Sequence, residues 1–358
     1  MKPLFSDPSL QDQFDRLGYV KVQLLDKDDV QALLDHYNEQ NFQTADNENF
    51  FVSLNNADSD TVRSVRKEIE EIIFPKTQEV LKDCQIFTAS YVVKEPGEKN
   101  IVPPHQDWTF VDESNYCSAS VWTPLVDVTE ENGALGVIPG SHNIFNYPRA
   151  SPSPQYKAGL TDHVFTLFPY VEIIDMKAGE SLIFNNKLIH ASPPNHSDQT
   201  RIAVGIGITQ KEAQLLHYYL TPNSGDRTLE VYEVDADFFN VYNNVNMRNL
   251  YLEGKTLDDL KKIDTIKNYK KYNFDKADLV AEIQALPNAK INQGLMEKLA
   301  KIFDYNIKNM EPQKSETENQ SAESTNKWEN RTFFQKYSPG NIIRELIWRL
   351  GGRKEKNQ

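Results

Sequence analysis

The chain has 358 residues, of which 39% are hydrophobic and 25% are charged, and this composition is typical of a globular protein with a polar surface. Its formal net charge of −13 argues against a nucleic-acid-binding protein, which needs a basic face. Two cysteines, Cys84 and Cys117, are too few for a disulfide framework. No secretory leader and no run of 18 apolar residues is visible, so we expect a cytoplasmic protein without a membrane span.

The first hundred residues predict three helices and two strands. Apolar residues recur at helical spacing within residues 8–40, and Gly18 ends the first helix before a short strand at residues 19–22. A third helix is predicted over residues 61–81. Residues 84–94 follow as a strand that leads toward the motif described next. Tyr91 on this strand is predicted to line a pocket, with a packed core aromatic as the alternative.

The main chemical signal is the pair His105 and Asp107, together with His190 far downstream. Two imidazoles and one carboxylate form the ligand set that holds non-haem Fe(II) on one face and leaves other positions open. Residues two apart on a strand share a face, so His105 and Asp107 can bind one ion while Gln106 points elsewhere. A His-x-Asp pair alone also fits a surface turn. His190 must come from a strand that is adjacent in space.

Arg201 lies near the start of an apolar run, residues 200–208, that predicts a buried strand. Buried arginines are rare unless they are paired. We therefore predict that its planar guanidinium binds a carboxylate ligand, with a structural salt bridge as the alternative.

Residues 143–160 are rich in Pro, Tyr and Ser, which predicts a long loop over the site. Arg149 and Lys157 in this loop are candidates for contact with an anionic substrate group, and solvated surface charge is the alternative. Residues 161–174 are predicted to form a pair of strands.

The character of the chain changes beyond the core, and four units are predicted: a catalytic domain at residues 1–220, a mainly helical extension at 221–309, a disordered linker at 310–330 and a tail at 331–358. Leu257, Leu260 and Ile263 have helical spacing at the start of the predicted helices, which run over residues 255–305. The linker has almost no apolar side chain. The tail is a short basic amphipathic helix that can dock on a partner or a membrane surface, or fold back on the body.

Several segments, taken in order, carry a resemblance to a known family. They are Pro104-His105-Gln106-Asp107-Trp108, Trp122-Thr123-Pro124-Leu125, and residues 14–20, 132–142, 178–181 and 190–192. Their order and spacing resemble the phytanoyl-CoA dioxygenase family over roughly residues 10–210. The resemblance implies a mainly β fold with flanking helices, in which a double-stranded β-helix (a cupin-like jelly-roll) forms the core beside the helical C-terminal appendage.

The resemblance also implies a function and a set of site residues. The implied iron ligands are His105, Asp107 and His190. Arg201 is implied to pair with the distal carboxylate of 2-oxoglutarate. The residues implied to line the co-substrate pocket are Gln106, Trp122 and Ser192. The implied activity uses Fe(II), 2-oxoglutarate and O2 to hydroxylate a C–H bond of a small-molecule or acyl-type substrate, with release of succinate and CO2. Related halogenases have a small residue in place of the carboxylate ligand, so Asp107 favours hydroxylation. The alternatives are a catalytically silent jelly-roll that binds a small acid and a Zn-dependent hydrolase.

Overall fold

A computed structural model describes residues 2–40, 42, 50–56, 58–151, 160–222, 227–269 and 275–307. The predicted linker at 310–330 and the predicted docking tail at 331–358 lie outside these residues, as does Lys157. Within the described ranges, no helix combines the length and the apolar character that a membrane crossing requires. Cys84 and Cys117 are buried free thiols.

The helices begin and end at residues that satisfy their terminal backbone groups. The Asp7 carboxylate accepts a hydrogen bond from the Ser9 amide at the start of the first helix, and Gly18 ends it with φ of 82°. Asp26 and Asp29 form a capping box at the start of the second. The described helices are α1 (Pro8–Leu17), α2 (Lys27–Glu39), α3 (Ser59–Val80), α4 (Val164–Leu167), α5 (Phe238–Val241), α6 (Asn244–Leu252), α7 (Lys276–Gln284) and α8 (Gln293–Ile302). The three predicted N-terminal helices are thereby confirmed.

The strands form three sheets in the described part of the chain. They are β1 (Tyr19–Gln23), β2 (Phe50–Val52), β3 (Cys84–Lys94), β4 (Val102–His105), β5 (Ser118–Pro124), β6 (Gly136–Val137), β7 (Glu172–Ile173), β8 (Glu180–Asn185), β9 (His190–Ser192), β10 (Arg201–Gln210), β11 (Leu216–Leu220), β12 (Leu229–Glu233) and β13 (Lys261–Ile266). A large sheet has the order β1-β8-β5-β10-β3-β2, a small sheet has the order β4-β9-β6-β7, and β11-β12-β13 form the third.

From β3 to β10 the chain passes back and forth between the large and the small sheet, and every pairing is antiparallel. This alternation is consistent with the predicted jelly-roll. A layer made of α1, α2 and α3 covers the outer face of the large sheet, where Val65, Ile69 and Ile73 of α3 share one apolar cluster with Tyr91 and Val93 of β3. The inner face of the large sheet is therefore left to face the small sheet, and a cavity lies between them.

Two local predictions are wrong. Residues 161–174 form α4 between two 3-10 turns, with strand structure only at β7. Every side chain of α4 is buried, so the sequence has no period that distinguishes this short helix from a buried strand. Ile263 belongs to β13, which pairs with the edge of β12, so Leu257, Leu260 and Ile263 do not share a helical face. The C-terminal region thus contributes a small sheet as well as helices. The apolar faces of α7 and α8 pack against Phe165 and Phe168.

Candidate functional site

His105 and His190 face each other across the small sheet. His105 is the last residue of β4, His190 is the first of β9, and the two are paired in the antiparallel ladder. Asp107 follows two residues after the end of β4. Its carboxylate Oδ1 lies 4.0 Å from His105 Nε2 and 3.7 Å from His190 Nε2. The candidate ligand atoms of all three residues lie within 4.8 Å of one another, which suits one metal ion.

The placement of Asp107 on the same strand as His105 was wrong in detail. The strand ends at His105, and the Asp107 backbone N–H donates instead to the Asn186 carbonyl at 3.0 Å, in the turn that precedes His190. With the ladder pairing of His105 and His190, this bond holds together the two segments that carry the three side chains. The carboxylate therefore reaches the imidazoles through a loop rather than through the pleat of a strand.

Both imidazoles are oriented by backbone carbonyls. His105 Nδ1 lies 2.8 Å from the Pro103 carbonyl and His190 Nδ1 lies 3.0 Å from the Leu188 carbonyl. A carbonyl only accepts, so each Nδ1 donates to its carbonyl and each Nε2 is left facing the shared site. Burial, and secondly the neighbouring His190, lowers the pKa of His105, which favours the neutral ring that a metal binds.

Hydrogen bonds from other parts of the chain hold the Asp107 carboxylate and its backbone in place. Ser120 Oγ on β5 donates to Asp107 Oδ2 at 3.1 Å and also contacts Asn186 Oδ1 at 2.9 Å. The Arg149 guanidinium Nε donates to the Asp107 backbone carbonyl at 2.6 Å and pairs through its other nitrogens with the Glu113 carboxylate. Arg149 is only 5% exposed. It is therefore committed to holding the Asp107 loop, and its predicted contact with an anionic substrate group is not supported.

The site opens into a cavity of about 290 Å³ between the two sheets. Its lining includes the three candidate ligands, Arg201, Trp122 and Ser192, together with side chains from β2, β3, β5, β8 and β10. A more open cleft of about 680 Å³ lies between the small sheet and the C-terminal helices and is lined by Glu130, Tyr170 and Lys298 among others. That cleft contains none of the candidate ligands, so the chemistry belongs to the smaller cavity.

Arg201 begins β10 and is 2% exposed, as the predicted buried strand requires. Its Nη1 donates to the Gly133 carbonyl at 3.2 Å, while Nε and Nη2 are buried and have no hydrogen-bond partner among the described residues. The guanidinium carbon lies 5.2 Å from the centre of the Trp122 ring. Burial lowers the pKa of Arg201 to about 9, which still leaves it a cation at neutral pH. The alternative of a structural salt bridge is not supported by any carboxylate partner in the described part of the chain.

Ser192 lies in the cavity lining two residues after His190. Its hydroxyl donates to the Gly133 carbonyl at 2.8 Å and accepts from the ammonium of Lys94 at 2.6 Å. Lys94 is fully buried at the end of β3, and it is not among the site residues predicted from the sequence. An ionisable residue at the end of an apolar strand was the available signal, the same one that identified Arg201.

Two predicted lining residues point away from the cavity. Tyr91 is fully buried on the other face of β3, where its hydroxyl donates to the Leu33 carbonyl at 2.8 Å and contacts His36 Nδ1 at 2.9 Å. It is the packed core aromatic of the alternative interpretation. Gln106 donates from its amide to the Lys187 carbonyl at 2.5 Å and accepts from the Tyr147 hydroxyl at 3.2 Å, so it supports the turn before His190 instead of lining the pocket.

Comparisons with known proteins agree with the site. The sequence model of the phytanoyl-CoA dioxygenase (PhyH) family matches residues 14–203. Phytanoyl-CoA dioxygenase domain-containing protein 1 of Danio rerio is 31% identical over 148 residues, which are 38% of this chain and 51% of the relative. A probable alpha-ketoglutarate-dependent hypophosphite dioxygenase of Stutzerimonas stutzeri is 28% identical over 117 residues, 30% of this chain and 40% of the relative. The chain thus matches about half the length of these relatives.

Among solved structures, the non-heme alpha ketoglutarate dependent carbocyclase SnoK from nogalamycin biosynthesis is a distant neighbour. It is 18% identical, with 60% of this chain and 90% of SnoK covered and a TM-score of 0.44.

Proposed function

The chain belongs to the phytanoyl-CoA dioxygenase family, whose sequence model covers residues 14–203 of the 358, and from this premise we propose that it is a non-haem Fe(II)- and 2-oxoglutarate-dependent dioxygenase. One observation carries the proposal. Two imidazoles and one carboxylate converge in a cavity that also contains a buried guanidinium, two of whose nitrogens have no hydrogen-bond partner among the described residues. A metal that binds through N and O ligands and a co-substrate with a free carboxylate together complete this arrangement.

The donor set fits ferrous iron. His105, Asp107 and His190 would hold the ion, and the cavity that they line would give a chelating co-substrate and O2 access to it. Bound iron supplies the oxidative chemistry: 2-oxoglutarate and O2 give succinate and CO2, and the second oxygen atom enters a C–H bond of the substrate as a hydroxyl group.

The protein supplies orientation around that chemistry. We place the distal carboxylate of 2-oxoglutarate next to Arg201. There it accepts hydrogen bonds from the buried Nε and Nη2, which have no other partner among the described residues. Trp122 lies against the guanidinium and limits its movement, while Ser192 lines the same end of the cavity. Ser120 and Arg149 keep the Asp107 carboxylate turned toward the imidazoles.

The side chains that line the cavity also limit the charge and polarity of the substrate that can reach the metal. Apart from the three ligands, Arg201 is the one charged side chain among the described residues of its lining. The other lining side chains are apolar or hydroxyl-bearing and include Phe50, Val52, Thr88, Ser90, Val92, Val102, Leu135 and Phe184. We therefore propose that the part of the substrate that reaches the metal is uncharged and mostly apolar. The names of the relatives span phytanoyl-CoA and hypophosphite dioxygenases, so family membership leaves the identity of the substrate open.

The two other hypotheses predict different requirements. A catalytically silent acid-binding protein has no need of three converging metal ligands, and a Zn-dependent hydrolase has no need of O2 or of Arg201. The test is succinate release from 2-oxoglutarate with Fe(II) and O2, first alone and then with a panel of apolar acids, acyl conjugates and small metabolites. Succinate formation that depends on both Fe(II) and O2 supports the proposal, and its absence across the panel together with hydrolysis supported by Zn(II) contradicts it.

Variants assign the ligands in the same assay. Asp107→Ala and His105→Ala should abolish Fe(II)-dependent succinate formation and weaken metal binding measured by titration, while the fold is retained. The matched controls are Asp198→Ala and His196→Ala, which alter exposed residues of the loop between β9 and β10 and should leave both unchanged. Full activity of the Asp107 variant contradicts the ligand assignment.

A further inference from the structure

The cleft between the small sheet and α8 takes no part in the chemistry described above, and its lining carries an excess of negative charge. It has a volume of about 680 Å³. Glu130 forms an ion pair with Lys298 of α8. Lys290 is the one cation of the described lining without an ion-pair partner. Three further lining carboxylates are exposed and also have no ion-pair partner among the described residues: Glu131, Glu172 and Asp175.

Apolar side chains lie in the same cleft. Ile291, in the segment between α7 and α8, is 44% exposed, and Ile173 of β7 is partly buried. A concave surface that combines apolar side chains with charges of mainly one sign suits an amphipathic segment of the opposite charge. The cleft therefore predicts a basic amphipathic occupant.

The sequence contains a segment of this kind in the tail, residues 331–358. Its seven Lys or Arg and two Glu give a net charge of +5, in a chain whose net charge is −13. Five apolar residues of the tail recur at helical spacing: Ile342, Ile343, Leu346, Ile347 and Leu350. Arg344 and Arg349 lie between them in the sequence. The tail and the cleft are thus opposite in charge, and each combines charged with apolar side chains.

The tail is also tethered close to the cleft. The described chain ends at Ile307, nine residues after Lys298 of the cleft lining. Because four of these residues continue α8 and five follow it, the two positions lie within roughly 24 Å of each other. Residues 308–330 separate this point from the tail, and a flexible chain of that length spans roughly 25 Å. Such a tether gives an effective concentration on the order of millimolar, so a contact of modest affinity is enough for docking.

We propose that the tail docks in the cleft between the small sheet and α8 of its own chain. Its apolar residues contact Ile173 and Ile291, and its basic residues lie against the unpaired carboxylates of the lining. The inference is independent of the proposed function, because the cleft contains none of the candidate metal ligands. Two other uses of the tail give different outcomes in the test: docking on a second copy of the chain and binding to an anionic membrane surface.

The experiment traps the docked tail of the full chain by disulfide formation. One protein carries Ile291→Cys together with Leu346→Cys, and the matched control carries Leu252→Cys together with Leu346→Cys. Leu252 is 65% exposed on α6 and does not line the cleft. The native thiols of Cys84 and Cys117 are buried, so they do not compete. The rate of disulfide formation under mild oxidation is measured by mass spectrometry of the unreduced digest, at several protein concentrations.

We expect the Ile291 pair to close about tenfold faster than the Leu252 pair, at a rate that does not depend on protein concentration. Ile343→Asp, which places a charge among the apolar residues of the tail, should remove this advantage. Asn357→Asp makes the same charge change outside them and should preserve it. Equal rates for the two pairs, or an advantage that survives Ile343→Asp, overturn the proposal.

The charge of the cleft is tested in the same assay. Replacing both Glu172 and Asp175 with Lys should slow closure of the Ile291 pair, and high salt should act in the same direction. Glu282→Lys, at an exposed position of α7 outside the cleft lining, should have no effect. A rate that rises with protein concentration places the tail on a second copy and overturns the proposal. Binding to vesicles that contain anionic lipid, without faster closure of the Ile291 pair in their absence, assigns the tail to a membrane and also overturns it.

Discussion

Replacing Arg201 with methionine removes a buried cation that has no carboxylate partner among the described residues, and it should affect the empty and the ligand-bound protein in opposite ways. Two guanidinium nitrogens are buried and have no hydrogen-bond partner among the described residues, which is unfavourable until a ligand binds. The contacts that are lost are one bond to the Gly133 carbonyl and the approach to the Trp122 ring. Replacing buried charge with a well-packed apolar side chain is often neutral or stabilising by roughly 1–4 kcal/mol. We therefore expect the variant, without ligand, to be at least as stable as the unaltered protein.

Binding of 2-oxoglutarate should suffer in the same variant. Truncating one partner of a buried charge pair costs about 2–5 kcal/mol, which corresponds to a loss of affinity between about 30-fold and several thousand-fold. The assay is urea unfolding of the metal-loaded protein with and without 2-oxoglutarate, since a ligand that binds only the folded state raises the free energy of unfolding by an amount that grows with the logarithm of its affinity. The ligand-induced gain should disappear in Arg201→Met, and it should persist in Arg16→Met, which alters an exposed arginine of α1. A variant that is several kcal/mol less stable without ligand, yet still gains the full increment from 2-oxoglutarate, would refute the reasoning.

The remaining predictions concern β10 and a buried histidine. A Cβ at Gly205 meets only Val92 at 3.4 Å, whereas one at Gly207 lies 2.5 Å from Thr88 Oγ1 and 2.6 Å from the Phe87 ring. Gly205→Ala should therefore keep near-normal stability while narrowing the cavity and slowing turnover of a bulky substrate. Gly207→Ala should lower the free energy of unfolding, measured by urea titration, by roughly 1–3 kcal/mol. Equal stabilities of the two variants would contradict this. Burial lowers the pKa of His217 to about 3. Between pH 6.5 and 3 the unfolded chain therefore binds a proton at His217 that the folded protein does not bind. The stability that depends on the neutral ring is present above pH 6.5 and is lost as the pH falls through this range. The stability of His217→Gln should fall less steeply over the same range, and a slope equal to that of the unaltered protein would argue against this role.

The candidate ligands could be found from sequence because their chemistry is uncommon and their positions are constrained. His105, Asp107 and His190 were selected by residue type and spacing, and the structure brings their side chains together. The route by which Asp107 reaches the site could not be predicted, because it depends on a backbone bond to Asn186, 79 residues away in the chain. Local pattern does not contain such long-range pairings.

The error at Tyr91 has a different cause. Both faces of β3 are covered, one by the helical layer and the other by the small sheet, so most of its residues are buried and the usual alternation of apolar and polar side chains is weak. A choice of the wrong face moves every side chain to the other side of the sheet. A weaker pattern is present, because Thr88 and Ser90 line the cavity while Ala89, Tyr91 and Val93 share the opposite face of the strand.

The same pattern on β10 explains why the cavity exists where it does. Arg201, Ala203, Gly205 and Gly207 alternate with the larger apolar residues Ile202, Val204, Ile206 and Ile208, which pack toward the helical layer. In the ladder, Arg201 lies opposite Lys94, Gly205 opposite Ser90 and Gly207 opposite Thr88. One end of the cavity wall therefore carries the Arg201 cation, and the other is small and uncharged. This asymmetry favours a diacid bound at the Arg201 end with its 2-oxo acid group toward the metal, and it leaves the glycine-lined end to an uncharged part of the substrate.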